Sequence, residues 1–319
     1  MIPPRTAVVI FALVLAAAQA LCSAELVTAE QTRFPLAVTD DAGVRMTLAA
    51  PPGRIVSLTL PTDEILLSLV GSSRLAAVTT LSLDPAVSSV AAQAAAVPRR
   101  MMLTVEPIVA LRADLVIAAS WSDAGVVSQL RGAGVPVYLV ASPTSVVGVE
   151  ALIRRIALIT GETGRGAAMV EDMEQKLRAV SHRVGQIPPG KRLRVLDYTT
   201  FGASMGKGSS WDDIVRRAGL VNAVDGLASD QWGQVPLSTE KLLRLDPDII
   251  ILPGWVYGDS RGARSFASGV KENAALQGLS AVKSGRVYTM PENLRVSTSQ
   301  YIADAVQWLA RTAYPGSFE

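Results

Sequence analysis

Hydrophobic positions along this chain follow two rhythms. Some short runs are apolar at every position, such as Leu115-Val-Ile-Ala-Ala119 and Ile249-Ile-Ile-Leu252. These suit strands of a parallel sheet covered by helices on both faces. Between them lie stretches with an apolar residue every three or four positions, the period of a helix packed along one side. The pattern predicts a leading hairpin over Phe34–Leu48 around Asp41-Ala-Gly43, then strands at Arg54–Leu58, Leu75–Thr79, Asp114–Ala119 and Val135–Val140. A second series of strands follows at Leu193–Tyr198, Asp248–Leu252 and Arg286–Met290. Helices are predicted at Thr62–Val70, Gly125–Arg131, Trp211–Ala218 and Thr239–Leu245. Such alternation predicts an α/β fold with mainly parallel sheets built from βαβ units.

The middle of the chain differs. From Ser145 to about Val184 the strand signal vanishes and only helical periodicity remains, broken once at Gly161-Glu-Thr163. Apolar residues at Ala167, Val170, Met173, Leu177 and Val180 predict one long amphipathic helix over Gly164–Val184, capped by Thr163 and stopped by Pro188-Pro-Gly190. A flexible hinge would be rich in Gly and Ser; this one reads as stiff. The expected organisation is an N-terminal segment 1–24, a first α/β lobe over 25–162, a rigid connecting helix within 163–187 and a second lobe over 188–319. Lobes joined in this way should rock only slightly about a fixed cleft.

The two lobes share a repeat. Glu106-Pro-Ile-Val-Ala-Leu-Arg-Ala-Asp114, followed by a strand and Trp121, is echoed by Glu240-Lys-Leu-Leu-Arg-Leu-Asp-Pro-Asp248, a strand and Trp255. Each copy reads as a short helix, a tight turn, an apolar strand and a tryptophan where the strand stops. Ligands of open parallel sheets bind outside the carboxyl ends of the strands. The repeat therefore predicts an aromatic ring at the ligand edge of each lobe, although core packing is the other use of a tryptophan.

Composition adds limits. At 319 residues the chain is long enough for two lobes, and 30 Lys and Arg against 28 Asp and Glu leave no basic run of the kind nucleic acid requires. Arg5, the apolar stretch Ala7–Ala20 and Leu21-Cys-Ser-Ala24 form a secretory signal peptide, with cleavage expected after Ala24. The stretch is short of the roughly 20 residues a membrane span needs. Lipid attachment at Cys22 is the alternative, which Gln19-Ala-Leu21 fits poorly. Cleavage after Ala24 would leave a mature chain without cysteine.

Several segments, in this order, resemble the class III periplasmic substrate-binding proteins of ABC importers. They are Arg54–Leu66, Glu106–Ile117, Gln129–Tyr138, Gly206–Asn222, Leu237–Leu243 with Asp246-Pro-Asp248, and Trp308–Pro315. The set covers nearly the whole mature chain and is specific to the superfamily, not to a ligand. The resemblance implies a monomeric periplasmic receptor that captures an iron-siderophore complex, cobalamin or haem, and hands it to a permease driven by an ATPase.

Trp121 and Trp255 are the leading ligand contacts, since an indole offers apolar area and one N–H donor. Tyr198 and Phe201 follow another strand and are candidate wall residues. Trp232 lies in a polar loop of the kind that lines the cleft in the family, whereas Trp308 sits in a helical pattern and reads as core. Arg99 and Arg100 precede a loop that rims the ligand in the family. Their guanidinium groups would grip carboxylate, catecholate or hydroxamate oxygens. Haem binders of similar pattern place a tyrosine where this chain has Arg99. Arg261 and Arg264 would extend the same positive wall. The resemblance makes Glu64 a permease-docking carboxylate. Arg216 occupies the place of its second-lobe counterpart, with Asp212 and Asp213 as substitutes one turn away.

Other motifs point away from chemistry. His182 is the only histidine. A protein-held metal needs convergent ligands, so no cofactor is expected and any metal should arrive inside its chelate. Gly202-Ala-Ser-Met-Gly-Lys207-Gly has three residues between its first two glycines where a phosphate loop has four. It reads as a βα turn. No catalytic triad is apparent, and an enzyme is not expected. The paired arginines put an iron(III)-siderophore complex first, cobalamin second and haem third. A ligand sensor or an enzyme on a similar scaffold are the alternatives from other classes.

Overall fold

The computed structural model describes residues 32–259 and 261–319; the predicted signal peptide and Cys22 lie outside them. The first lobe opens with an antiparallel hairpin, β1 (Leu36–Thr39) and β2 (Arg45–Leu48). Its main sheet is wholly parallel and contains β3 (Ile55–Ser57), β4 (Leu75–Ala77), β5 (Leu115–Ala119) and β6 (Val137–Val140), in the order β4-β3-β5-β6. The second lobe carries β7 (Arg194–Asp197), β8 (Ala203–Met205), β9 (Val221–Asn222), β10 (Gln234–Pro236), β11 (Ile249–Pro253) and β12 (Val287–Met290). Of these β9, β7, β11 and β12 form a second parallel sheet, while β8 and β10 pair antiparallel beside it. Counting only its own strands in chain order, each parallel sheet has the strand order 2-1-3-4. The chain reverses direction across each sheet between the first and third strands, the point where α/β sheets bind ligands.

The repeat explains how both sheets start. Asp114 accepts hydrogen bonds from the backbone N–H groups of Gly53 and Arg54 at 2.8 and 2.9 Å, tying the foot of β5 to that of β3. Asp248 does the same for Arg194 at 2.7 Å, tying β11 to β7. The arginines answer: Arg54 donates to the Leu111 carbonyl at 2.7 Å and Arg194 to the Leu245 carbonyl, each capping the helix before the third strand. Both turns pass through a left-handed residue that is not glycine, Arg112 (φ 49°) and Asp246 (φ 38°). The Asp and the turn of the repeat are therefore structural.

One helix, Thr163–Val184, connects the lobes, as predicted, although Glu162 rather than Thr163 is its cap residue. It packs on the helix Val146–Thr160 so closely that a Cβ at Gly166 would lie 2.3 Å from that of Ala157. The helix Ile302–Ala313 returns to pack on the connector as well, with Trp308 partly buried against the core, as predicted. A single apolar cluster runs through all of this, from Ile65 and Leu69 through Val170 and Met173 to Ile214 and Leu309. Smaller clusters fill the opposite face of each sheet.

Candidate ligand-binding site

Each sheet has a cavity at the carboxyl ends of its strands. In the first lobe it measures about 260 Å³ and is lined by Leu58 after β3, Ala119 at the end of β5, Val140 at the end of β6, and Thr62 and Thr79. Trp121 stands at its rim, 77% exposed, its Nε1 donating to Ser142 Oγ at 3.4 Å. Below the rim the polar groups are hydroxyls. Ser57 Oγ and Thr62 Oγ1 share a hydrogen bond of 2.7 Å, and Thr59 extends the chain to Thr62 at 2.8 Å. Asp63 is buried behind them and accepts from the Thr79 N–H at 3.0 Å and from its hydroxyl. Burial pushes its carboxyl up to about 7, with the Ser57 and Thr79 hydrogen bonds pulling against the rise.

The second cavity is larger, about 630 Å³, and is built from Asp197 at the end of β7, Pro253 and Trp255 at the end of β11, and Glu292 and Arg295 on the short helix after β12. Its floor is an ionic cluster. Arg295 donates to both oxygens of Asp197 at 2.9 and 3.1 Å, and to both of Glu292 at 2.6 and 2.9 Å. Both carboxylates are buried. Burial also pushes Asp197 up, with the Arg295 charge pulling the other way. The walls are aromatic. Trp255 meets Tyr257 edge-on, with ring centroids 5.7 Å apart, and Phe201 stands 87% exposed across the opening. Trp211 completes the wall from within, 2% exposed, its indole N–H without a partner among the described residues. Gly254 allows the β11 exit to graze its neighbour: a Cβ there would lie 2.4 Å from the Met290 carbonyl oxygen.

The structure thus brings Trp121, Trp255 and Phe201 to cavity linings. Other sequence-based expectations are corrected. Tyr198 points to the far side of the sheet and packs on Phe266 at 5.7 Å, because neighbours along a strand face opposite ways and Asp197 and Thr199 take the cavity side. Arg100 spends its guanidinium on the carbonyls of Ala94, Val97 and Arg99, finishing a helix end. Arg99 borders a separate groove with Gly53, Arg54 and Ser73, residues that precede β3 and β4. Neither lines a cleft cavity. Arg261, Arg264 and Trp232 are exposed on loops and helix starts outside the two linings, and His182 is exposed on the connector.

The docking carboxylates are corrected too. Glu64 is 3% exposed and sits in a seam between the first lobe and the C-terminal segment, accepting from the Ser89 N–H at 2.9 Å and from Ser299 Oγ. Burial raises it to about 7. Asp212 is buried against the Gly208 N–H, the Asn222 amide and Arg216, and Asp213 accepts from the Val146 N–H and Arg217. Glu64 and Asp212 have no free face to offer a permease. Sequence reasoning also passed over Asp197, Glu292 and Arg295. The available signal was a charged residue closing the apolar strand Arg194-Val-Leu-Asp197.

Among known proteins, the chain is 25% identical over 297 residues to an uncharacterized ABC transporter substrate-binding lipoprotein of Bacillus subtilis, covering 90% of this chain and 88% of the relative. It is 25% identical over 262 residues to a cobalamin-binding protein of Halobacterium salinarum, covering 82% and 69%. The fold matches a periplasmic binding protein from Veillonella parvula with a TM-score of 0.72 at 19% identity, over 88% of this chain and 97% of that one. The periplasmic binding protein family model matches residues 55–294, three quarters of the sequence. The chain therefore belongs to the periplasmic binding protein family, in the class III group of substrate-binding proteins that serve ABC importers.

Proposed function

We propose that the protein captures a bulky metal chelate of the corrinoid type between its lobes and delivers it to an ABC permease, after export directed by residues 1–24. One observation carries this reading. Two tryptophans in repeat-matched positions, Trp121 and Trp255, each edge a cavity at the switch point of their sheet. Aromatic surfaces with a few polar groups beside them suit a large, half-apolar ligand. The iron(III)-siderophore expectation rested on Arg99 and Arg100. With both outside the cavity linings, an uncharged, amide-rich macrocycle is the better fit, and the Halobacterium relative, named for binding cobalamin, supports the same order.

Docking passes to a different pair of carboxylates. Glu106 and Glu240 open the two repeats, are exposed, and sit in the first turn of helices that run back from the carboxyl edge of each sheet. Charge reversal at either should cut ligand-stimulated ATP hydrolysis by the reconstituted importer while leaving ligand affinity unchanged. The binding test is spectroscopic. Protein mixed separately with cyanocobalamin, a ferric siderophore and haemin, then freed of unbound ligand, should retain the cobalamin spectrum. Retention of only the ferric or haem spectrum would sink the corrinoid reading.

A further inference from the structure

The floor of the second cavity has a property its walls do not suggest. An arginine in a binding cleft ordinarily serves to hold an anion, and Arg295 is the only cationic residue lining either cavity among the described residues. Yet its guanidinium is already paired with two carboxylates. Four N–H···O contacts of 2.6 to 3.1 Å join it to both oxygens of Asp197 and both oxygens of Glu292, and only 12% of its side chain is exposed. Two carboxylates against one guanidinium leave the floor with one negative charge. Protonation of Asp197 would bring it to neutrality and no further. The first-lobe cavity has no charged lining residue to compensate.

We propose that Asp197 and Glu292 are specificity determinants: by occupying Arg295 from both sides they close the cleft to anionic chelates and select ligands that are uncharged or cationic where they enter the second lobe. The inference rests on the reading of the protein as a chelate receptor, but not on the corrinoid. The physical basis is the low dielectric of a buried floor. A fixed negative charge there repels an incoming anion far more strongly than one on the surface, and salt screens it less. The aromatic lining of Trp255, Tyr257 and Phe201 adds to this, since ring faces carry the negative side of the quadrupole and favour cations over anions. Arg261 is exposed outside this lining and is no substitute for a bound cation at the floor.

The test uses the full chain and three probes read by tryptophan quenching: uncharged cyanocobalamin, an uncharged ferric trihydroxamate and a triply anionic ferric tris-catecholate. Wild type should bind the tighter of the two uncharged probes at least about tenfold better than the anionic one, the scale of one unfavourable charge contact. The Asp197→Asn/Glu292→Gln double variant keeps the shape of both groups and frees the Arg295 charge. It should narrow that gap by about tenfold or more, through tighter binding of the anionic probe. Glu292→Gln alone, which leaves the deeper Asp197–Arg295 pair intact, should give part of the shift and guards against misfolding of the double variant. Tighter wild-type binding of the tris-catecholate than of either uncharged probe would overturn the proposal. So would an unchanged gap in folded Glu292→Gln and double-variant proteins. If the preferred uncharged probe is the trihydroxamate, the corrinoid reading fails while charge selection stands.

Discussion

The two lobes start from the same plan and finish it with opposite chemistry. Ser57 and Asp197 each close the first strand of a parallel sheet, in register with Ile117 and Ile251 on the third strand, and each is fully or almost fully buried. In the first lobe that place holds a hydroxyl, and desolvation raises the nearby acids Asp63 and Glu64 to about 7. In the second lobe it holds a carboxylate neutralised by a guanidinium. A polar group at the carboxyl edge of a sheet can be buried by removing its charge or by pairing it, and this molecule does both. The repeat brings a cavity to the same edge of both sheets, while the residue that ends the first strand differs in charge between them.

The comparison is most exposed at Arg295. Arg295→Met should destabilise the protein by about 3–5 kcal/mol, because it leaves two buried carboxylates unpaired. Its counterpart Ser57→Ala should cost about 1 kcal/mol, the net value of an ordinary hydrogen bond. Urea denaturation of the two variants that gave equal losses would erase the distinction between the lobes.

A pH series sharpens it next. Asp63 and Glu64 bind protons more tightly in the folded protein than in the unfolded chain. Their contribution is therefore fully present below their ordinary values of 3.8 and 4.5 and drains away as pH rises towards about 7. At about 1.4 kcal/mol per pKa unit, the loss across that window should be about 3–4 kcal/mol for each acid. Asp63→Asn and Glu64→Gln should each flatten the curve of melting temperature against pH. A wild-type protein equally stable at both ends of the window would mean that these acids are ionised in the fold.

The smallest effects on the fold belong to the rim. Trp121→Ala and Trp255→Ala should each weaken ligand binding by about 2 kcal/mol, as truncation of an aromatic anchor does. Trp121→Ala should change stability by no more than about 0.5 kcal/mol, since the ring is mostly exposed. Trp211→Ala is the internal contrast, at about 3–5 kcal/mol of stability. If Trp121→Ala melts as low as Trp211→Ala, the two rims are not a matched pair of ligand contacts.

Local pattern was legible and long-range pairing was not. Seven of the eight parallel strands announced themselves through short, mostly apolar runs, and the helix Thr239–Leu245 came out to the residue. Strand β9 escaped because two residues carry no period. The docking reading of Glu64 failed for another reason. Thr62-Asp-Glu64 reads as an exposed polar helix start, and the hydroxyl that buries the glutamate belongs to Ser299 at the far end of the chain. Arg100 failed because its partners are backbone carbonyls, which every sequence supplies. The placing of the two tryptophans at the strand ends, where they line cavities, was legible because a repeat makes position, not chemistry, the signal.

The apolar cluster that crosses from Ile65 to Leu309 also sets an order of events during synthesis. The first lobe cannot close its own interior with what precedes it in the chain. Leu309 lies about 240 residues downstream of Ile65 in the chain, so this shared interior can be completed only after the helix Ile302–Ala313 has been made. Contacts so distant in sequence make folding slow. If the chain is exported as proposed above, such a delay keeps it threadable until it reaches the membrane.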